Sequence, residues 1–320
     1  MLPTPAEVRP GAQPLLHNMR LEAELVRIAR AFREAGIEFV VLKGVPLTRR
    51  LHGRLDARTM VDNDILVRRR DVLRAAHSLH ELGYRPREFH TVEGDLRSTF
   101  QSALSCPTPG GGNVWVELHW SAFLPQMFPV SEELEWSRLE PFELRGEQLA
   151  VFDPTMTLVH LAAHFAQHEC THPRILEDIA EAWNRWHARI DRTDLVQLSV
   201  LTGVGPTLAY TLAAAATLGW LSAEPPALPS RRAALLAKIL PARRLTKTEA
   251  SQYARIIFTA LLLRPSCAAR WLFGHVVPPL ETLAALHETR LSPWLYLRYA
   301  SRPFRGLRRI VRGEHRKPTR

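Results

Sequence analysis

Asp62 and Asp64 lie one residue apart at the mouth of an apolar run, Ile65-Leu66-Val67. If that run is a strand, alternation sends both carboxylates to one side, about 6–7 Å apart along the backbone. Paired acids in that arrangement grip divalent cations, and cations are how proteins handle nucleoside triphosphates. Farther on, Val114-Trp115-Val116-Glu117-Leu118-His119-Trp120 also alternates, with Trp115, Glu117 and His119 on one face and the four other residues opposite. A carboxylate buried unpaired in such a strand is costly. Two readings of Glu117 therefore stand: a third acid of a cation site, or a solvent-facing residue on an edge strand opposite Arg54 or Arg58.

The elements that must position these residues follow from periodicity and punctuation. Leu21, Leu25, Ile28 and Phe32 predict an amphipathic helix over Leu21–Ala35, closed by Gly36. Glu38–Leu42 is a short strand running into Lys43-Gly44, and Met60–Val67 is a second. Asp71 is placed to cap a helix that runs to about Leu82 and stops at Gly83. Phe100–Ser105 and Asn113–Trp120 predict a hairpin across a Pro- and Gly-rich turn, and a second hairpin is expected around Arg145-Gly146. After Asp153-Pro154 the pattern becomes helical, near 154–170, 174–188, 194–202, 207–221, 231–240, 247–263 and 268–288. The reading is α+β: a mixed β-sheet with flanking helices over 1–153, a mainly helical domain over 154–300, and a basic tail over 301–320.

The composition narrows the class. At 320 residues and 46% apolar content the chain can bury a large core. It offers no apolar stretch long enough to span a bilayer and no signal-like start. Three cysteines at unrelated spacings exclude a disulfide framework. These features predict a cytoplasmic bacterial protein with no transmembrane segment. The net charge is +10, but the segment Arg302–Arg320 holds most of the excess, as eight basic residues against Glu314. That tail is read either as a peripheral contact to an anionic surface or as a solvated segment. Only four lysines occur among 42 basic residues, so Lys43 stands out from an Arg-rich background.

Leu42-Lys43-Gly44, then Arg58-x-x-x-Asp62-x-Asp64-Ile65-Leu66-Val67, then Glu117-Leu118-His119-Trp120, resembles the uncharacterised nucleotidyltransferase group of the DNA polymerase β superfamily. The resemblance extends into Leu158-x-x-Leu161-x-x-x-His164-x-x-x-His168 and Asp178-Ile179-Ala180, over roughly residues 20–190. It implies a minimal nucleotidyltransferase fold with a helical domain closing the cleft. It also implies two Mg²⁺ (or Mn²⁺) ions on Asp62, Asp64 and Glu117, with Glu117 also a candidate base. A nucleoside triphosphate would be the donor, and an unidentified hydroxyl or phosphate on a small molecule or protein the acceptor. Lys43, Gly44 and Arg58 would then meet the triphosphate, while His119, His164 and His168 would line the cleft. The chain departs from the group's relatives in two respects, one being Asn63 where an apolar residue is more common between the acids, the other the phosphate loop. Many place a Gly-Ser pair about a dozen residues before the first acid, whereas Gly44 is followed by Val45 and precedes Asp62 by eighteen.

Other motifs compete. His168-Glu169-Cys170-Thr171-His172 matches the zinc-hydrolase pattern His-Glu-x-x-His, although Pro173 disfavours helical geometry at His172. His160, His164 and His168, four residues apart, form a stripe on one helix face at the domain interface. Asp178 reads as a positioning residue, and Trp183 and Trp186 as core. Two main function classes remain: a Mg²⁺-dependent nucleotidyltransferase, and a non-catalytic descendant of that fold acting as a binding or scaffold module in a biosynthetic assembly.

Overall fold

Strand alternation divides the apolar residues between two faces of one sheet, and the helices are distributed accordingly. The computed structural model describes residues 12–87, 90–108, 111–228, 230–239, 252–277, 280, 283 and 292–300. The basic tail from Arg302 onward and parts of the last expected helices lie outside them.

The elements follow in the order α1 (Ala12–Glu34), β1 (Phe39–Val41), α2 (Val45–His52), β2 (Asp62–Val67), α3 (Val72–Glu81), β3 (Arg85–Pro86), α4 (Val92–Ser98), β4 (Gln101–Pro107) and β5 (Asn113–His119). Next come α5 (Glu132–Trp136), β6 (Leu139–Leu144), β7 (Glu147–Phe152), α6 (Pro154–Gln167), α7 (Pro173–Trp186), α8 (Arg192–Thr202) and α9 (Gly205–Thr217). The described remainder is α10 (Arg231–Ile239), α11 (Gln252–Leu261), α12 (Pro265–Val276) and α13 (Trp294–Ala300).

The α+β expectation holds. Seven strands form one mixed sheet in the order β3-β4-β5-β2-β1-β7-β6. β2 runs parallel to β5 and antiparallel to β1, and β1 runs parallel to β7. Both expected hairpins form, β4–β5 and β6–β7. The second turns through Arg145 and Gly146, both at positive φ.

Leu21, Leu25, Ile28 and Phe32 of α1 are fully buried and share a core with Val41, Ile65, Val67, Val116 and Leu118. On the other face Val40, Leu42 and Leu66 join Phe152, Leu158, Phe165, Ile179 and Trp183 in a second core. That core runs without a break across residue 153, where Asp153 caps α6 through a bond from the Met156 amide. Trp183 and Trp186 are buried within it, as expected.

Several boundaries differ from the sequence reading. β2 begins at Asp62, not Met60, and Asp71 makes no side-chain cap. Its carboxylate accepts from Arg74 instead. The sequence reading also missed α2. That helix, followed by a 3-10 turn at Leu55–Ala57, fills the long interval between Gly44 and Asp62.

A buried asparagine on α1 holds that interval in place. Asn18 donates to the carbonyls of Leu55 and Arg58, each at 2.7 Å, and accepts from the Met60 amide at 3.1 Å. Four residues after Met60 lies Asp64. Replacing Asn18 by Ala strands two buried backbone groups and one half-buried one, each a desolvation penalty. Asn18→Ala should lower unfolding free energy by about 3 kcal/mol in urea titrations, with the slope unchanged.

Candidate active site

The parallel register of β2 and β5 sets Asp62 opposite Trp115, Asp64 opposite Glu117, and Leu66 opposite His119. Because Leu66 belongs to the core under α6, the acids share that face. β5 lies between β4 and β2, so the edge-strand reading of Glu117 fails. Its suggested partners are committed elsewhere, Arg54 to Asp56 and Arg58 to Asp178.

Lys43 joins this group from the end of β1. Its ammonium lies 3.1 Å from Asp64 Oδ1 and donates to His164 Nε2 at 3.2 Å. His119 Nε2 lies 3.3 Å from the same Asp64 oxygen and 3.6 Å from Glu117 Oε2. Asp64 Oδ2 and His119 Nδ1 are buried with no hydrogen-bond partner. Ligand atoms of Asp64, Glu117 and His119 all lie within 4.8 Å of one another, close enough to share one metal ion.

The electrostatics follow from burial and these neighbours. Burial would raise the Asp64 carboxyl, but Lys43 and His119 outweigh it and hold it well below the usual carboxylate range. Asp62 is pushed up to about 7, by burial first and then by the charge of Asp64, with Lys43 opposing. Lys43 is raised although burial works against it, because Asp64, Asp62 and Glu117 attract its charge. His119 rises to about 9 against burial, through its contacts with Asp64 and Glu117, so it carries a proton at neutral pH.

His160 and His164 of α6, and His168 just past its end, behave oppositely. Burial lowers His160 to about 3 and His168 to about 4, and puts His164 well below its ordinary value. Their rings form a row, with His160–His164 centroids 6.1 Å apart and His164–His168 4.5 Å apart. Only His164 reaches the Lys43–Asp64 pair directly among the described contacts.

Gly44 stands where a side chain could not. Its φ is +74°, and a Cβ there would come within 3.3 Å of the Asp62 carbonyl. The first turn of α2 therefore starts against the backbone of β2, beside the acids. Asn63, on the opposite face from the acids, donates to the Leu21 carbonyl at 3.0 Å. Arg58 is not among the groups that contact the acids. It pairs with Asp178 of α7 at 2.5 Å, on the wall of a cleft of about 300 Å³ also lined by Arg174 and Glu177.

The zinc pattern does not sit on a helix. α6 stops at Gln167, and Glu169 and Cys170 take left-handed backbone conformations. Glu169 accepts from Arg255, and His172 is an extended residue preceding Pro173. A zinc hydrolase needs both histidines on one helical face with the Glu between them, and this turn breaks that geometry. Sequence reasoning also missed the hold of Lys43 on Asp64. Its scarcity in an Arg-rich chain was the one available signal.

A mixed sheet with acids on adjacent parallel strands, beside the start of a helix and under another, defines the class. Residues 12–219 match the family described as Uncharacterised nucleotidyltransferase, and the chain belongs to it. The mixed seven-stranded sheet with flanking helices is followed by a helical C-terminal region. The crystal structure of an antigenic nucleotidyltransferase-like protein from Paracoccidioides brasiliensis is similar at 14% identity and a TM-score of 0.34, covering 60% of this chain and 91% of that chain. No curated protein matches the chain. Among the described residues, no helix is long and apolar enough to cross a membrane.

The raised Asp62 carboxyl has a consequence for stability. A group whose folded pKa exceeds its unfolded value costs nothing at low pH, and the cost grows as pH rises from about 4 to about 7. Asp62→Asn removes that cost. Thermal melts in EDTA should therefore show Asp62→Asn more stable than the parent protein at pH 8, with the difference vanishing near pH 4.

Proposed function

We propose that the protein is a divalent-cation-dependent nucleotidyltransferase, moving a nucleoside monophosphate from a triphosphate to an acceptor hydroxyl or phosphate. The observation that carries this reading is the Asp64–Glu117 pairing across parallel strands, with Asp62 on the same face. The residues fit a hard cation. Asp64 keeps one buried oxygen free of any partner, and carboxylate oxygens are the donors that Mg²⁺ and Mn²⁺ favour.

Asp62, Asp64 and Glu117 would hold the metal, and His119, protonated between two of them, orients their oxygens. Bound Mg²⁺ or Mn²⁺, two ions by family likeness, would neutralise phosphate charge and favour an attacking oxyanion. Lys43 and the first turn of α2, entered through Gly44, would meet the triphosphate in this reading. Arg58, tied to Asp178, acts first on the shape of the neighbouring cleft and reaches phosphate only if that pair opens. His164 and His168 form a neutral wall over the acids. A helical segment closing over the nucleotide, with α6 and α7 as its walls, belongs to the same proposal.

One observation favours a second reading. The ion pair between Lys43 and Asp64 already satisfies part of the acid charge without metal, as it would in a binding module that has lost transfer. The two readings separate in a nucleotide screen with Mg²⁺ or Mn²⁺ followed by mass spectrometry, where self-modification reports activity even without the true acceptor. A transferase should release pyrophosphate, with Asp64→Asn abolishing the product while the fold, judged by its melt, survives. Absence of nucleotide binding together with silent Asp62→Ala and Asp64→Ala variants would leave the binding-module reading.

A further inference from the structure

We propose that Lys43 is the resident cation of the acid site, and that a divalent ion enters by taking Asp64 from it, which releases the ammonium toward the phosphates. This rests on the metal-site reading above. Asp64 and Glu117 face each other across β2 and β5 with Asp62 beside them, and their charges repel unless cations lie among them. Two cationic groups answer that repulsion: His119, held by strand β5 at 3.3 Å from Asp64, and the Lys43 ammonium, on a long flexible stem 3.1 Å from Asp64 and under the attraction of Asp62 and Glu117.

His164 equips the site to hold an ammonium. An ammonium only donates, so His164 Nε2 must accept from it, and the ring proton then belongs on Nδ1. The Gln167 Oε1 atom, 3.3 Å from Nδ1, is the matching acceptor. The two contacts thus assign one neutral tautomer, and that tautomer attracts Lys43. A charged His164 would repel it.

Lys43 and a divalent ion cannot both be at ease on Asp64. A dication on either oxygen of that carboxylate would lie within a few ångströms of the ammonium, where like charges repel strongly in a buried setting. The acids are fixed on strands, whereas the lysine stem has four rotatable carbons. The movable partner is therefore Lys43. Its release places a positive charge beside the start of α2, where an incoming triphosphate needs one.

The test is a Mn²⁺ titration of the full chain, read by electron paramagnetic resonance, comparing wild type, Lys43→Met and Asp64→Asn. Lys43→Met should bind Mn²⁺ at least about tenfold more tightly. Its metal-free form should melt below wild type in EDTA, with the gap closing once Mn²⁺ is added. Equal or weaker binding by Lys43→Met, with Asp64→Asn abolishing binding, overturns the role of Lys43 and leaves the metal site standing. Binding that survives Asp64→Asn, or no binding by any form, overturns the metal site and this inference with it.

A second measurement needs no variant and covers a Lys43→Met chain that fails to fold. Acetylation of wild type, mapped by mass spectrometry, should be slow at Lys43 in EDTA and faster with Mn²⁺, while Lys238, Lys247 and Lys317 serve as internal references. Unchanged Lys43 reactivity in Mn²⁺ overturns the release step.

Discussion

Convergence of like charge under a helix is the constraint that the rest of this protein must accommodate. Asp64 is almost wholly buried, with Asp62 beside it on β2 and Glu117 directly across on β5. At an effective dielectric near 20, two such charges about 4 Å apart repel by about 4 kcal/mol, more than a few ordinary hydrogen bonds return. The surrounding residue types answer that cost. Lys43 and protonated His119 supply positive charge from the flanking strands. Asp62 yields by holding its proton to about pH 7. The histidines on and just past α6 stay neutral, so the helix above the acids adds acceptors and not competing cations.

A site of this kind works only if the strands cannot slip, because a one-residue shift would turn the acids to the other face. The register is pinned from below by α1. Its apolar stripe packs on Ile65 and Val67, and its polar contacts fix position along the strand. Asn18 holds the chain entering β2, and the Leu21 carbonyl accepts from Asn63 between the two acids. Glu22, also buried, takes Arg49 from α2 and Arg145 from the β6–β7 turn. Apolar packing thus sets the layers, and a few buried polar contacts set the register within them.

This division explains what could be read without coordinates. Alternation in β2 and β5 is local, so the common face of Asp62 and Asp64 and that of Glu117 and His119 were each legible, as were the α1 stripe, both hairpins and the helix start at Asp153-Pro154. The meeting of the two pairs was implied only by the family resemblance. The partners of the polar residues were not legible. Asn18 bonds to residues about forty positions away, Glu22 reaches Arg145, and Lys43 meets His164 only because α6 folds back over the sheet. Nothing in the neighbourhood of such residues announces contacts that loops and crossovers create. α2 escaped for a different reason. It is short and opens on Gly-Val-Pro, a spelling that reads equally well as a turn. The His-Glu-x-x-His match shows the converse error, a local pattern whose helix ends one residue before it begins.

The junction Lys43-Gly44 brings these threads together. Gly44 is demanded by the fold itself, since its positive φ and the nearby Asp62 carbonyl exclude a side chain whether or not phosphate ever binds there. Its presence therefore says little about chemistry. Lys43 is different, because no packing requirement places a strongly hydrated ammonium in a nearly closed site. An apolar residue of similar length would fill the space, and neutral partners would cost less than three carboxylates. The chain instead keeps both the acids and a movable counter-charge. That combination costs stability whatever it is for, so its value lies outside the packing of the fold, as the proposed binding of a metal and a phosphate requires.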